Sequence, residues 1–277
     1  MKKYKIIAGD LDGTLLDSNG SLSYENLAAI RELSAKGILF VPASGRSLAE
    51  IPTVLRNEDS IRYYIHSGGA GLYDKKTGEN LSFGFPRDLS HAILELVFFE
   101  ECHVTVRKAG RMLTDVEKTS ESDMCFYNVF AAHRELLDSC GEAIDNFKEE
   151  MLASSDVDMI SLFFHDEEKR TKLLERLAQI EFINVVSACA YNLELTYKNA
   201  GKGNALVYLS NRVGIPIFET LAIGDSENDV SMITSAGLGL AVKSAPENVK
   251  SSADDVICSN DDHIVKYLLE KILSQKT

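Results

Sequence analysis

The sequence predicts an α/β protein: a doubly wound parallel sheet of Rossmann-like type, carrying an inserted α+β domain. Three observations lead there. In the first and last thirds, short apolar runs alternate with helical patterns, the arrangement of a parallel sheet covered on both faces. In the middle third the order changes to closely spaced strands between helices. The 277 residues, 45% hydrophobic and 26% charged, suffice for one large domain or two smaller ones.

Strand-like runs occupy residues 4–8, 38–43, 62–66, 220–224, 237–242 and 255–258. Helical patterns cover 23–36, 47–56, 203–213, 229–235 and 264–273. The first of these puts Leu27, Ile30 and Leu33 on one face, with Ser21 or Ser23 as its cap and Gly37 as its stop. The middle third reads as a helix at 88–101, a hairpin of strands 103–107 and 111–114, and a helix at 133–149. A strand at 158–164, a helix at 167–179 and a strand at 182–188 follow. Linkers near 84–86 and 188–192 divide the chain into a core, 1–83 and 191–277, and an insertion, 84–190.

Composition excludes several classes. The net charge is −13 and no large Lys/Arg cluster exists, which argues against nucleic acid as a partner. No apolar run approaches the roughly 20 residues of a membrane helix, and the apolar stretch before Asp10 is too short for a signal-peptide core. The five cysteines, Cys102, Cys125, Cys140, Cys189 and Cys258, lack CxxC spacing and read as thiols in a reducing compartment. The expectation is a cytoplasmic protein, monomeric or weakly self-associating.

The chemistry concentrates where apolar runs end. Residues 4–16, YKIIAGDLDGTLL, deliver Asp10 and Asp12, which in an extended segment point the same way. Two such carboxylates raise each other's pKa unless a cation lies between them. A divalent metal removes that conflict and makes the site electrophilic. An Asp-Gly turn alone is common, but three further segments join it: Ala43-Ser44-Gly45-Arg46, Ala200-Gly201-Lys202-Gly203 and Gly224-Asp225-Ser226-Glu227-Asn228-Asp229. Singly, Ser44 reads equally as a turn serine, Lys202 as a solvated lysine, and Asp225 and Asp229 as helix-capping acids. In an open α/β sheet, ligands bind at the carboxyl ends of the strands, and together the four segments suit phosphoryl transfer. They offer a carboxylate nucleophile, oxygen ligands for Mg²⁺, and donors for the phosphoryl oxygens.

DLDGTLL, ASGR, the lysine of NAGKGNAL and GDSENDVSM together resemble the four ordered motifs of the haloacid dehalogenase (HAD) superfamily of phosphatases. The stretch SAGLGLAVKSAPENVKSSAD and the insertion between the second and third motifs resemble its Cof-type (IIB) branch. The resemblance covers essentially the whole chain. It implies that Asp10 is the nucleophile and forms an aspartyl-phosphate, and that Asp12 is the general acid and then the general base. It implies phosphate binding by Ser44, Lys202 and Asn228 with the main-chain N–H groups of Leu11 and Gly45. It also implies Mg²⁺ held by Asp10, the Asp12 main-chain carbonyl and Asp225, with Asp229 supporting that shell. The implied activity is Mg²⁺-dependent hydrolysis of a small phosphorylated metabolite, a sugar phosphate or a related cofactor. A phosphomutase on the same scaffold and a non-catalytic phosphometabolite-binding protein are the alternatives. The chain departs from the branch pattern at Ser67-Gly68-Gly69-Ala70, Val242-Lys243-Ser244-Ala245 and His263-Ile264, where relatives often read Ser-Asn-Gly-Ala, Met-Gly-Asn-Ala and Gly-Val.

Overall fold

A computed structural model describes residues 4–187 and 189–272. Its strands are β1 (Ile6–Gly9), β2 (Leu39–Pro42), β3 (Tyr63–His66), β4 (Gly71–Asp74), β5 (Glu79–Ser82), β6 (His103–Lys108) and β7 (Arg111–Asp115). They continue as β8 (Gly141–Ile144), β9 (Val157–Phe163), β10 (Ile183–Val186), β11 (Asn192–Tyr197), β12 (Thr220–Gly224), β13 (Leu238–Ala241) and β14 (Asp255–Val256). The chain forms two compact units. Among the described residues, the first holds 4–45, 51–80 and 201–272, and the second holds Arg46–Glu50 and 81–200.

The first unit is built on a parallel sheet in the order β14-β13-β12-β1-β2. Ile6, Ile7, Ala8, Val41, Leu221 and Ala222 are wholly buried, as strands covered on both faces require. The helix Tyr24–Ala35, capped by Ser23 accepting the Asn26 N–H, packs on Ile264–Tyr267; the helix Lys202–Arg212 packs on Val230–Ser235. The antiparallel pair β3–β4 is extended by β5, and the unit's middle segment ends inside β5 at Asn80. Register is what matters for the site. Gly9 of β1 lies opposite Pro42 of β2 and Ile223 of β12, so the chain leaves all three strands at one level.

The second unit is a six-stranded, mostly antiparallel sheet in the order β10-β11-β9-β6-β7-β8, with only β7–β8 parallel. Val104, Val106, Ile160, Leu162, Leu193 and Leu195 point into its larger apolar core with Ile93, Leu94 and Leu173 from the helices.

Several sequence expectations are corrected. The helix expected at 47–56 shrinks to Thr53–Arg56: Pro52 cannot continue a helix, and residues 46–50 are engaged elsewhere. The helix expected at 133–149 is two helices, Ala131–Cys140 and Phe147–Ala153, around strand β8, because Gly141 turns extended and pairs with Met112. The helix Glu121–Phe126 and strands β4, β5 and β11 were not foreseen. The longer segment of the second unit runs from Leu81 to Ala200 and includes β11. Residue 188, at the expected linker, and Leu273 lie outside the described residues.

Candidate active site

The carboxyl ends of β1, β2 and β12 supply three of the four polar segments. β1 stops at Gly9, so strand alternation is not what presents Asp10 and Asp12. Asp10 keeps an extended backbone (φ −62°, ψ 161°) and donates its N–H to Ile223 O at 3.0 Å. The chain then turns: the Leu15 N–H bonds Asp10 O at 3.2 Å and the Leu16 N–H bonds Leu11 O at 2.8 Å. Asp12 (φ −80°, ψ 118°) and Gly13 (φ +81°) depart from helical angles inside this turn. The result separates the two acids by environment: Asp10 is buried and Asp12 is exposed. Gly13 is required twice over. Its φ disfavours side chains, and a Cβ there would lie 2.6 Å from Asp225 Oδ2.

Ser44 follows β2 and is buried; its N–H bonds Ile65 O at 2.9 Å and its carbonyl accepts the Gly68 N–H at 2.9 Å. Gly45 stands beside Asn228, whose Nδ2 would be 3.8 Å from a Cβ at that glycine. Lys202 does not come from a core strand at all. It opens the helix Lys202–Arg212, which follows a strand of the other sheet.

Lys202 joins the segments. Its buried Nζ donates to Asp10 Oδ1 at 2.6 Å, Asp229 Oδ1 at 2.6 Å and Asn228 Oδ1 at 3.1 Å. The second Asp229 oxygen accepts the N–H groups of Asp225 (3.1 Å) and Ser226 (3.0 Å). Thr14 Oγ1 donates to Asp225 Oδ1 at 2.8 Å, a partner the sequence reading missed. Carboxylate oxygens of Asp10, Asp225 and Asp229 lie within 4.8 Å of one another. Asp12 is outside that group, and Asp229 is inside it.

The electrostatics follow from burial. Desolvation raises the Asp10 carboxyl well above its ordinary range; Lys202 opposes this, and the Asp229 and Asp225 charges add to it. Burial likewise raises Asp225 against the Thr14 hydrogen bond. Burial alone would lower Lys202, but the charges of Asp10 and Asp229 outweigh it and raise the ammonium further. One buried cation among three carboxylates leaves excess negative charge, and hard oxygen donors in that number suit Mg²⁺.

A family model for haloacid dehalogenase-like hydrolases matches residues 7–269. The chain belongs to that family, in its Cof-type branch. This HAD protein is 31% identical over 285 residues to phosphatase YwpJ of Bacillus subtilis, an alignment covering 97% of this chain and 100% of the relative. It is 25% identical to the 5-amino-6-(5-phospho-D-ribitylamino)uracil phosphatase YcsE of the same organism, covering 97% and 96%. A haloacid dehalogenase-like hydrolase from Bacteroides thetaiotaomicron has a similar structure, with a TM-score of 0.81 at 26% identity over 97% of this chain and 99% of that one. The HAD protein is a phosphatase with a Rossmann-like core and an inserted cap. Among the described residues no helix is long and apolar enough to cross a membrane.

Proposed function

We infer that this phosphatase hydrolyses a small phosphorylated metabolite, a sugar phosphate or a related cofactor, with Mg²⁺ and through a phosphorylated Asp10. The observation that carries the reading is the buried Lys202 Nζ held 2.6 Å from Asp10 Oδ1, beside the Asp225 and Asp229 oxygens. Asp10, the Asp12 main-chain carbonyl and Asp225 would hold the metal, with Asp229 supporting them. When bound, Mg²⁺ neutralises charge on the phosphoryl oxygens and polarises the phosphorus.

The protein groups do the rest. An Asp10 oxygen attacks phosphorus while the leaving oxygen takes a proton from the Asp12 carboxyl. The Asp12 carboxylate then takes a proton from water; that water attacks phosphorus, releases inorganic phosphate and restores Asp10. Asp12 is exposed and so able to exchange protons with substrate and water, while the buried Asp10 is held in place by Lys202. Ser44, Lys202, Asn228 and the N–H groups of Leu11 and Gly45 bind the phosphoryl oxygens. The YcsE relative is named for a phosphorylated ribityl compound, which supports the same substrate class here.

The test is phosphate release from p-nitrophenyl phosphate and from a panel of phosphorylated metabolites. Activity should vanish with a chelator and return with Mg²⁺. Chelator-resistant turnover would overturn the metal assignment. A requirement for a bisphosphate activator would favour the mutase.

A further inference from the structure

The chain enters the second unit twice: at Arg46, leaving after Glu50, and again at Leu81, leaving after Ala200. The short first visit is anchored by a buried ion pair. Glu50 Oε2 accepts Arg107 Nε at 2.8 Å, and Glu50 Oε1 accepts Arg107 Nη2 at 2.8 Å. Arg107 lies on β6, and its Nη1 donates to Ser161 Oγ on β9 at 2.9 Å. The Ala49 N–H bonds Gly110 O in the β6–β7 turn at 2.9 Å. Within the strap, the Ser47 N–H bonds Glu50 Oε2 at 2.5 Å and Arg46 Nη1 bonds Glu50 O at 3.1 Å. Glu50 and Arg107 side chains are 0% and 6% exposed, so the pair is shielded from solvent and salt. Burial works against the Glu50 charge, yet the Arg107 charge and hydrogen bonds hold its carboxyl at about 2.

The residues just before this strap are Ser44 and Gly45, which belong to the first unit. We propose that Glu50 and Arg107 are positioning residues for the phosphoryl group: their pair holds Arg46–Glu50 on the cap sheet, and that strap fixes the Ser44-Gly45 turn. The inference rests on the proposed phosphate-binding role of that turn. Neither Glu50 nor Arg107 needs to touch substrate, since Arg107 Nε, Nη1 and Nη2 already donate to Glu50, Ser161 and Met159 Sδ. A bidentate pair suits the task, because two parallel hydrogen bonds set direction as well as distance.

The tests use the full chain with Mg²⁺. Removing one partner of a buried pair threatens folding, whereas replacing both by apolar residues is often tolerated. In the double variant Glu50→Leu with Arg107→Met, unfolding should stay cooperative. KM for p-nitrophenyl phosphate and Ki for inorganic phosphate should rise together by about tenfold or more, with kcat changed by less than about threefold. Arg107→Lys, which keeps the charge and loses the fork, should fall between. Unchanged KM and Ki in a cooperatively folded variant would overturn the proposal and leave the pair merely structural.

Hydrogen exchange on the wild-type protein gives a reading free of substitutions. If the strap's order raises phosphate affinity, phosphate must stabilise the strap by the same factor. Inorganic phosphate should therefore slow exchange at the Ser47 and Ala49 amides as well as at Ser44 and Gly45. Slowing at Ser44 and Gly45 alone would overturn the positioning role and leave the function standing. No slowing at either, with no phosphate release, would overturn both.

Discussion

Asp229 and Lys202 meet at 2.6 Å with neither side chain exposed, and Asp229 uses its other oxygen to hold the backbone of Asp225 and Ser226. One carboxylate thus ties the ammonium to the loop that presents Asp225. Lys202 closes the link by reaching Asp10, 192 residues away in the chain. The site is a network in which each charge is placed by another.

Lys202→Met tests that network. Without the ammonium, Asp10 and Asp229 lose their shared partner and remain buried. In metal-free buffer the variant should lose on the order of 3–5 kcal/mol, the usual cost of breaking a buried pair, and added Mg²⁺ should recover part of it. Urea melts with and without Mg²⁺ check this. A variant as stable as wild type without metal would contradict the pairing.

Gly69→Ala tests what supports the lysine. Gly69 has φ +93°, and a Cβ there would lie 2.1 Å from the Gly201 carbonyl carbon and 2.4 Å from Lys202 N. The peptide that launches Lys202 must shift. We expect kcat/KM to fall by about tenfold or more while unfolding stays cooperative. Steady-state kinetics beside a circular-dichroism melt would reveal the reverse outcome, lost stability with intact kinetics.

Asp10→Asn keeps the shape and removes the carboxylate proposed as nucleophile. Turnover should disappear with the melting temperature held or raised, since the amide ends a buried carboxylate conflict. Residual kcat above about a tenth of wild type, a barrier change of only ~1.4 kcal/mol, would remove Asp10 from that role.

Asp12→Ala separates proton transfer from binding. General acid–base help is typically worth about 10²–10⁴-fold. The loss should be large for alkyl phosphates and smaller for p-nitrophenyl phosphate, whose leaving group hardly needs a proton. Equal losses would assign Asp12 chiefly to the metal.

Asp158 sets a pH dependence in the second unit. It is buried, and Ser82 Oγ donates to its Oδ1 at 2.7 Å. Burial raises its carboxyl to about 7; the Ser82, Gly110 and Ala109 donors oppose this, and Asp156 adds to it. The folded form therefore holds a proton that the unfolded chain, at an ordinary carboxylate value near 3.8, releases. The stability so gained is full below about pH 4 and is lost as pH rises through 7. Asp158→Asn should be the more stable protein at pH 8 and should lose most of that advantage at pH 5. Urea melts at both values decide it; an advantage independent of pH would deny the buried proton.

Much of this was legible in the chain because its causes are local. Apolar runs ending in Asp10, Ser44 and Asp225 announce parallel strands with polar carboxyl ends, and Ser23 and Gly37 bracket a helix through capping chemistry confined to a few residues. The order of the motifs named the family. Other features have causes that lie far off in sequence. Residues 141–144, GEAI, are locally as good a helix as a strand; only pairing with β7 makes them extended. Residues 47–50 pass for a first helical turn until Arg107 claims Glu50. That Lys202 reaches Asp10 and Asp229 at once, that Asp229 stands in the carboxylate cluster, and that Thr14 holds Asp225 were decided by tertiary packing. A short-range pattern records which surfaces a segment can bury, whereas a charge's partner depends on where the completed fold brings another charge within reach.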